Sequence, residues 1–267
     1  MYDSHMHTTY SFDGNATILQ MVEAAANMGL KEITITDHID FDDPYIPEGM
    51  PNAPDLDVYF AEIAAAKQQY EGKILVHAGL EIGVFDEVLE RTHQYVEGYA
   101  MDFVLGSMHT AKPDMHDPAF WQEHTRQSGF GVYLQNVLDN FRVYTDYDCI
   151  SHLTYFSRYA PFTGTEREIL ATDAPQLLQE LFAYLIANGK GIEVNTSTIK
   201  RHGFAMPDIS IVKLYRQMGG EIITIGSDAH RPDNIAANFT AGLQMLQAAG
   251  FDYVCTFVER SPVFHRL

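Results

Sequence analysis

Residues 3–14 read DSHMHTTYSFDG. His5 and His7 stand two apart, so on an extended chain both imidazoles face the same side. A lone His-x-His pair arises easily in a histidine-rich chain. This one gains meaning from the side chains that other short apolar runs carry at their ends: His38 in ITDH, Glu81 in GLEIG, His109 in GSMH, His152 in ISHL, and Asp228 with His230 in GSDAH. Most come after stretches rich in Ile, Val, Leu or Phe, which read as strands whose ends carry ligand-type side chains toward one point. With Asp13 they make nine groups, more than one ion needs. Imidazole and carboxylate together suit Zn, Fe or Mn, and a multinuclear site of this kind points to hydrolysis of a phosphate ester.

Outward from these motifs, strand and helix patterns alternate. Strands are expected to end near Ser4, Thr36, Leu80, Ser107, Ser151, Val194 and Ile225, with a further one over residues 253–258. Thr17 and Gln20 form a capping box that opens a helix stopping at Gly29. Further helices are expected over 56–70, 86–97, 127–144, 174–187, 209–218 and 234–249, and Gly189, Gly219 and Gly250 come after the last three. Repeated βα units that are unlike one another in sequence predict a closed parallel barrel rather than a solenoid. Two longer loops, 40–54 and 110–126, leave the rim where barrel active sites are built. A length of 267 residues is ordinary for one α/β barrel, and no composition shift marks a boundary, so residues 1–267 read as one domain.

Composition narrows the function classes. The 36 acidic residues against 17 basic ones give a formal charge of −19, which repels nucleic acid at long range. An anionic substrate would then need a local positive field from bound ions and a few basic side chains. The 2 cysteines, Cys149 and Cys255, lie in apolar strand-like runs without a CxxC partner and read as core residues in a reducing compartment. No basic-then-apolar leader and no membrane-length apolar run is present, so a soluble cytoplasmic protein with no membrane partner is expected. The oligomeric state stays open.

Within the ligand set, Glu81 is the most diagnostic residue, because a carboxylate can bridge two cations and an imidazole cannot. His109 and His152 would complete a second ion beside it. Asp228 and His230 repeat the two-residue spacing, while Asp13 and His38 are the natural partners of His230 for a third. Asp13, in a Phe-Asp-Gly turn, also suits plain turn chemistry. His77 reads as a buried, hydrogen-bonded core residue, and His93, His116, His124 and His265 as surface or loop residues. His202 comes directly after Lys200 and Arg201, past the EVNTS strand end; these three are either anion donors or a solvated helix start. Arg158, six residues after His152, is the other cation expected near the rim, where a guanidinium suits bidentate phosphate contact.

The run of motifs from DSHMHTTYSFDG through ITDH, GLEIG, GSMH, SHL and EVNTS to GSDAH resembles the polymerase and histidinol phosphatase (PHP) family, over nearly the whole chain. The resemblance implies an α/β fold, a distorted (β/α)7 TIM-like barrel, with three divalent metal ions. It implies His5, His7, Glu81 and Asp228 at the first ion, Glu81, His109 and His152 at the second, and Asp13, His38 and His230 at the third. Some relatives have His where this chain has Asp13. Within the family, the LTYFSRY and NTSTIKR segments look like histidinol-phosphate phosphatase, which implies hydrolysis of L-histidinol phosphate in histidine biosynthesis. The nucleophile would be hydroxide held between the first two ions, with Arg158, Lys200 and Arg201 on the phosphoryl oxygens; the general acid is not identified. Nucleotide and phosphotyrosine phosphatases of the family, TatD-like or amidohydrolase-type barrel hydrolases, and a metal-binding protein without turnover are the alternatives. His38 and His230 favour the three-metal form, since TatD-like enzymes have no equivalent of them.

Overall fold

The computed structural model of the chain describes residues 1–41 and 43–267. A seven-stranded sheet runs in chain order, β1 (Tyr2–Asp3), β2 (Glu32–Ile39), β3 (Leu75–Gly83), β4 (Phe103–Ser107), β5 (Cys149–Ile150), β6 (Gly191–Asn195) and β7 (Ile223–Gly226). Every neighbouring pair is parallel, with Glu81 level with His38 on one side and Leu105 on the other. The two faces of a strand differ in chemistry. In β3, Val76, Ala78, Leu80 and Ile82 join the large core beneath the helices, while His77 and Glu81 occupy the opposite pleat.

The sheet closes on itself. Across the β1–β7 seam, Ser4 N–H donates to Ile225 O at 3.0 Å, Asp228 N–H to His5 O at 2.9 Å and His7 N–H to Ala229 O at 2.8 Å. The buried Asp3 carboxylate reinforces this seam by accepting the Ser227 N–H (2.9 Å), the Ser227 hydroxyl (2.5 Å) and the Ala236 N–H (2.9 Å). Burial raises the Asp3 carboxyl to about 6 against the pull of those donors.

Helices connect the strands: α1 (Ile18–Asn27), α2 (Leu56–Gln69), α3 (Leu89–Val96), α4 (Pro118–Glu123), α5 (Arg126–Val143), α6 (Pro175–Ala187), α7 (Ile199–His202), α8 (Ile209–Gln217) and α9 (Phe239–Ala248). The Thr17–Gln20 capping box forms as expected, and Gly29 comes after the helix at φ +76. Two starts differ. The 86–97 segment begins with a 3-10 turn, Asp86–Val88, before α3. The last helix begins at Phe239 rather than near 234, because Pro232–Asn234 makes its own 3-10 turn and Ala236 and Asn238 are left-handed, at φ +52 and +61. The 110–126 loop contains the short α4, capped by Asp117 with proline at its start. No helix among the described residues is long and apolar enough to cross a membrane.

The strand over 253–258 stands apart from the barrel. It is β8 (Tyr253–Val258) and pairs antiparallel with β9 (Ser261–Arg266). Glu259 and Arg260 make the turn at φ +48 and +65, the mirror-image conformation that matches hairpin twist. The hairpin packs against the beginnings of the barrel strands. Cys255 and Phe257 bury against Phe103, Leu105 and Cys149, and Thr256 Oγ1 donates to Glu32 at 3.0 Å. Both cysteines are free and buried there, as core residues. Arg260 donates to Asp148 at 2.6 Å and to Asp146 at 2.8 Å. Replacing Arg260 by alanine leaves the nearly buried Asp148 without its cation and should destabilise the metal-free protein by roughly 1.5–3 kcal/mol in denaturant melts; an unchanged midpoint would show that the hairpin is not held by this pair.

Candidate metal centre

Glu81, in the second half of β3, is 1% exposed and surrounded by imidazoles. Its Oε2 lies 3.1 Å from His5 Nε2, 3.3 Å from His7 Nε2 and 3.2 Å from His38 Nδ1. Its Oε1 lies 2.8 Å from His152 Nε2 and 3.3 Å from His109 Nε2. Asp228 Oδ1 is 3.3 Å from His7 Nε2 and 3.6 Å from His230 Nδ1, and Asp13 Oδ2 is 2.9 Å from His230 Nε2. The structure therefore brings all nine sequence-predicted groups together. Several sit away from the strand ends anticipated for them: β2 runs three residues past Thr36 and carries His38 within it, and β3 likewise carries Glu81. His5 and His7 lie just beyond β1, held at the seam by the Met6–Ala229 bridge. Asp228 adopts φ +54, a conformation that aspartate tolerates better than most residues.

What turns the imidazoles inward is a set of acceptors behind them. His5 Nδ1 is 2.8 Å from Glu193 Oε1, His109 Nδ1 2.8 Å from Asp40 Oδ1, and His230 Nδ1 2.9 Å from Asp228 O. Carboxylates and carbonyls only accept, so each Nδ1 carries a proton, and Nε2 is the atom left to give up its own and bind a cation. His7 obeys the same logic indirectly. Ser11 gives its hydroxyl proton to Asp37 at 2.6 Å, so its oxygen accepts from His7 Nδ1 at 3.2 Å. Such outer partners fix ring orientation and raise ligand basicity. Two glycines make room for them. A Cβ on Gly226 would come 2.1 Å from Glu193 Oε1, and one on Gly83 would come 1.9 Å from Asp40 Oδ1. Glu193, Asp40 and Asp37 were not anticipated as site residues. Their signal lay in EVN, HID and TDH, beside the predicted ligands.

The side chains by themselves divide into charged and neutral groups. Burial works against ionising Glu81 and Asp228, yet His5 and neighbouring imidazoles hold both well below the usual carboxylate range. Burial lowers His7 to about 3, aided by charge on His38 and His230, whose rings stack at 4.2 and 4.3 Å from its own. His38 moves up to about 9, because Glu81 and Asp40 outweigh its burial. Cations taken up by such a set displace protons, since the ligating imidazoles must be neutral. The donor chemistry fits metal. Among the described residues four overlapping triplets, His7–His38–His230, His5–His7–Glu81, His5–His152–Asp228 and His38–Glu81–His109, each bring ligand atoms within 4.8 Å of one another. Glu81 Oε2 is buried among three ring nitrogens with no hydrogen-bond partner among the described residues, as an atom awaiting a cation would be.

The cluster forms the floor of a cavity of about 260 Å³. Arg158, on a 3-10 turn (Tyr155–Arg158) after β5, lines it with Nη1 4.0 Å from Asp228 Oδ2 and its guanidinium 5.5 Å from the Tyr155 ring centre. Lys200 and Arg201 do not line it; both are exposed on α7, the solvated helix start rather than the anion donors also considered for that segment. His202 Nδ1 instead lies 3.2 Å from Arg167 Nη1, and Arg167 Nε donates to Phe162 O at 3.0 Å. His116, read as a surface or loop residue, is a loop residue that lines the cavity between Tyr45 and Tyr159, its ring centre 4.1 and 4.5 Å from theirs. Tyr45 also hydrogen-bonds Asp114, joining the two long loops at the mouth. His77 bonds Glu32 at 3.2 Å inside the barrel, as its position in β3 suggested. His265 is not a loop residue but part of β9, 2.7 Å from Thr256 Oγ1.

Known proteins share this architecture. A probable histidinol-phosphatase of Clostridium acetobutylicum is 29% identical over 248 residues, 92% of this chain and 93% of its own length. A histidinol-phosphatase of Lactococcus lactis is 27% identical over 257 residues, 96% of this chain and 93% of its own. The crystal structure of histidinol phosphate phosphatase from Lactococcus lactis, complexed with zinc, L-histidinol and phosphate, superposes with a TM-score of 0.85 at 26% identity, covering 98% of both chains. A putative histidinol phosphatase from Listeria monocytogenes, at 17% identity and a TM-score of 0.75, shares the fold. The sequence profile of the PHP domain matches residues 3–197. With that match spanning most of its length, and its ligand-type side chains gathered on one barrel floor, the chain belongs to the PHP domain family.

Proposed function

We propose that the chain is a metal-dependent phosphomonoesterase that hydrolyses L-histidinol phosphate to L-histidinol and phosphate, acting as a single domain over residues 1–267. The observation that carries this reading is Glu81, a buried carboxylate within 3.3 Å of five imidazoles at the base of an open cavity. We assign three divalent ions, Zn, Fe or Mn, to the nine groups. His5, His7, Glu81 and Asp228 would hold one, Glu81, His109 and His152 the second, and Asp13, His38 and His230 the third. When bound, such ions acidify water and neutralise phosphoryl oxygens.

The chain's own residues do the rest. Arg158 is the guanidinium that lines the cavity among the described residues, so it binds and orients the phosphoryl group beside Asp228. Lys200 and Arg201, exposed on α7, contribute at most to the outer field. The lining beside it is aromatic and acidic: Tyr45, His116, Tyr155 and Tyr159 provide flat faces, and Asp43 lies among them. A wall of that kind suits a leaving group that is both cyclic and cationic, which supports an imidazole-bearing amino alcohol over a nucleotide. The net charge of −19 argues against nucleic acid as a substrate or partner. Two free, buried cysteines suit a reducing compartment, which supports a cytoplasmic location.

Phosphate release from L-histidinol phosphate by protein loaded with Mn, Fe or Zn should greatly exceed that from p-nitrophenyl phosphate and nucleotides, and a chelator should abolish it. Activity on the generic ester alone would keep the phosphatase and discard this substrate. Glu81→Ala should lose two ions by elemental analysis and fall to the turnover of the chelated protein; near-normal turnover would contradict the shared-carboxylate scheme. Arg158→Ala should keep its metal but raise KM about 10- to 100-fold, the loss of one charge-assisted hydrogen bond. An unchanged KM would take Arg158 out of the binding site.

A further inference from the structure

Asp40 comes directly after the end of β2 and is 4% exposed. Its backbone N–H donates to Asn52 O at 2.8 Å, which anchors the start of the 40–54 loop. Its side chain faces two imidazoles at once. Oδ1 accepts from His109 Nδ1 at 2.8 Å, and Oδ2 lies 2.9 Å from His38 Nδ1 as an ion-pair contact outside hydrogen-bond alignment, the same nitrogen being 3.2 Å from Glu81 Oε2. Gly83, on the neighbouring strand, leaves the space this carboxylate occupies. The far nitrogens of the two rings diverge: His109 Nε2 is 3.3 Å from Glu81 Oε1, whereas His38 Nε2 points toward Asp13, 3.8 Å from its Oδ1. One outer carboxylate thus backs two rings aimed at different groups of ligands. Glu193 does not have this property, since its oxygens meet His5 Nδ1, the His152 N–H and the Asn195 amide.

We propose that Asp40 is a positioning residue shared by two metal ions, one held through His109 and the other through His38, and that it couples their uptake. The inference rests on the proposed assignment of metal to this cluster. The physical reason is that a carboxylate on Nδ1 fixes the tautomer and increases the electron density at Nε2. Here one charge does so for His109 through a hydrogen bond and acts on His38 through an ion-pair contact, so its loss is felt at both ions. An ion bound at one ring also draws on the same carboxylate that supports the other.

The test is metal content per chain against a graded chelator, read by elemental mass spectrometry on Asp40→Asn, which keeps shape and removes charge. Two ions should weaken together by about 10- to 100-fold, the usual effect of removing an outer partner, while the ion at His5 and His7 is retained. Gly83→Ala should reproduce the paired loss by pushing the carboxylate aside without changing its charge. Glu193→Gln should weaken instead the ion that His5 holds. Equal melting temperatures of the metal-free variants and the metal-free parent would separate positioning from folding. Loss of a single ion, or an unchanged chelator midpoint in Asp40→Asn, would overturn the proposal. A parent protein that takes up no metal would overturn the metal reading and this inference together, whereas a fully loaded parent with a fully loaded Asp40→Asn overturns this inference alone.

Discussion

A carboxylate almost without solvent contact, encircled by five imidazoles, is the constraint around which this barrel is organised. Taking a carboxylate out of water costs several kcal/mol even after relaxation, and attraction offsets that cost only when the geometry is good and the remaining lone pairs are engaged. Ser107 Oγ, at 2.6 Å from Glu81 Oε1, engages one. Oε2 is surrounded by ring nitrogens and needs positive charge. The same balance extends outward through Glu193, Asp40 and Asp37, each of which is buried and ties an imidazole or its supporting loop in place. The site is a nested set of carboxylate–imidazole contacts, and alternating charge is what makes it tolerable in a protein interior.

Such a site needs walls that do not move, and closure of the sheet supplies them. The Asp3 carboxylate pins β1 to β7 beside His5 and Asp228, so two ligands far apart in sequence share one seam. At the other end, the β8–β9 hairpin covers the beginnings of the strands with Cys255 and Phe257. The lower barrel is apolar there, and the polar side chains above line the cavity. There Arg158 and the aromatic wall meet whatever enters. Arg158 and the Asp43 carboxylate both line the cavity, so it offers charge of both signs to what enters.

Local chemistry alone located most of this. The His-x-His and Asp-x-His spacings, the strand-length apolar runs and the Thr17 capping box depend on neighbours within a few residues, and they predicted the strands, α1 and all nine ligand-type groups. The fold's cyclic order was implied by alternating βα patterns, because parallel strands require helical crossovers. The β8–β9 hairpin was legible only as a strand, since its partner SPVFHR has a proline and lacks strict alternation. The loop status given to His116 concealed its place between Tyr45 and Tyr159, because three loops and turns meet there only after folding.

Residue order alone dictates which chemistry the chain can assemble: imidazoles and carboxylates at strand-like positions, in numbers suited to several ions. How each ring is turned is a matter of the folded barrel. His5 meets its acceptor 188 residues away in Glu193, and His109 meets Asp40 69 residues away. Folding also selects which cations face the cavity, bringing Arg158 in and leaving Lys200 and Arg201 on an exposed helix. Residue type and local spacing set what a side chain can bind. The partner that orients it is brought near by barrel closure, and no short-range pattern encodes that approach.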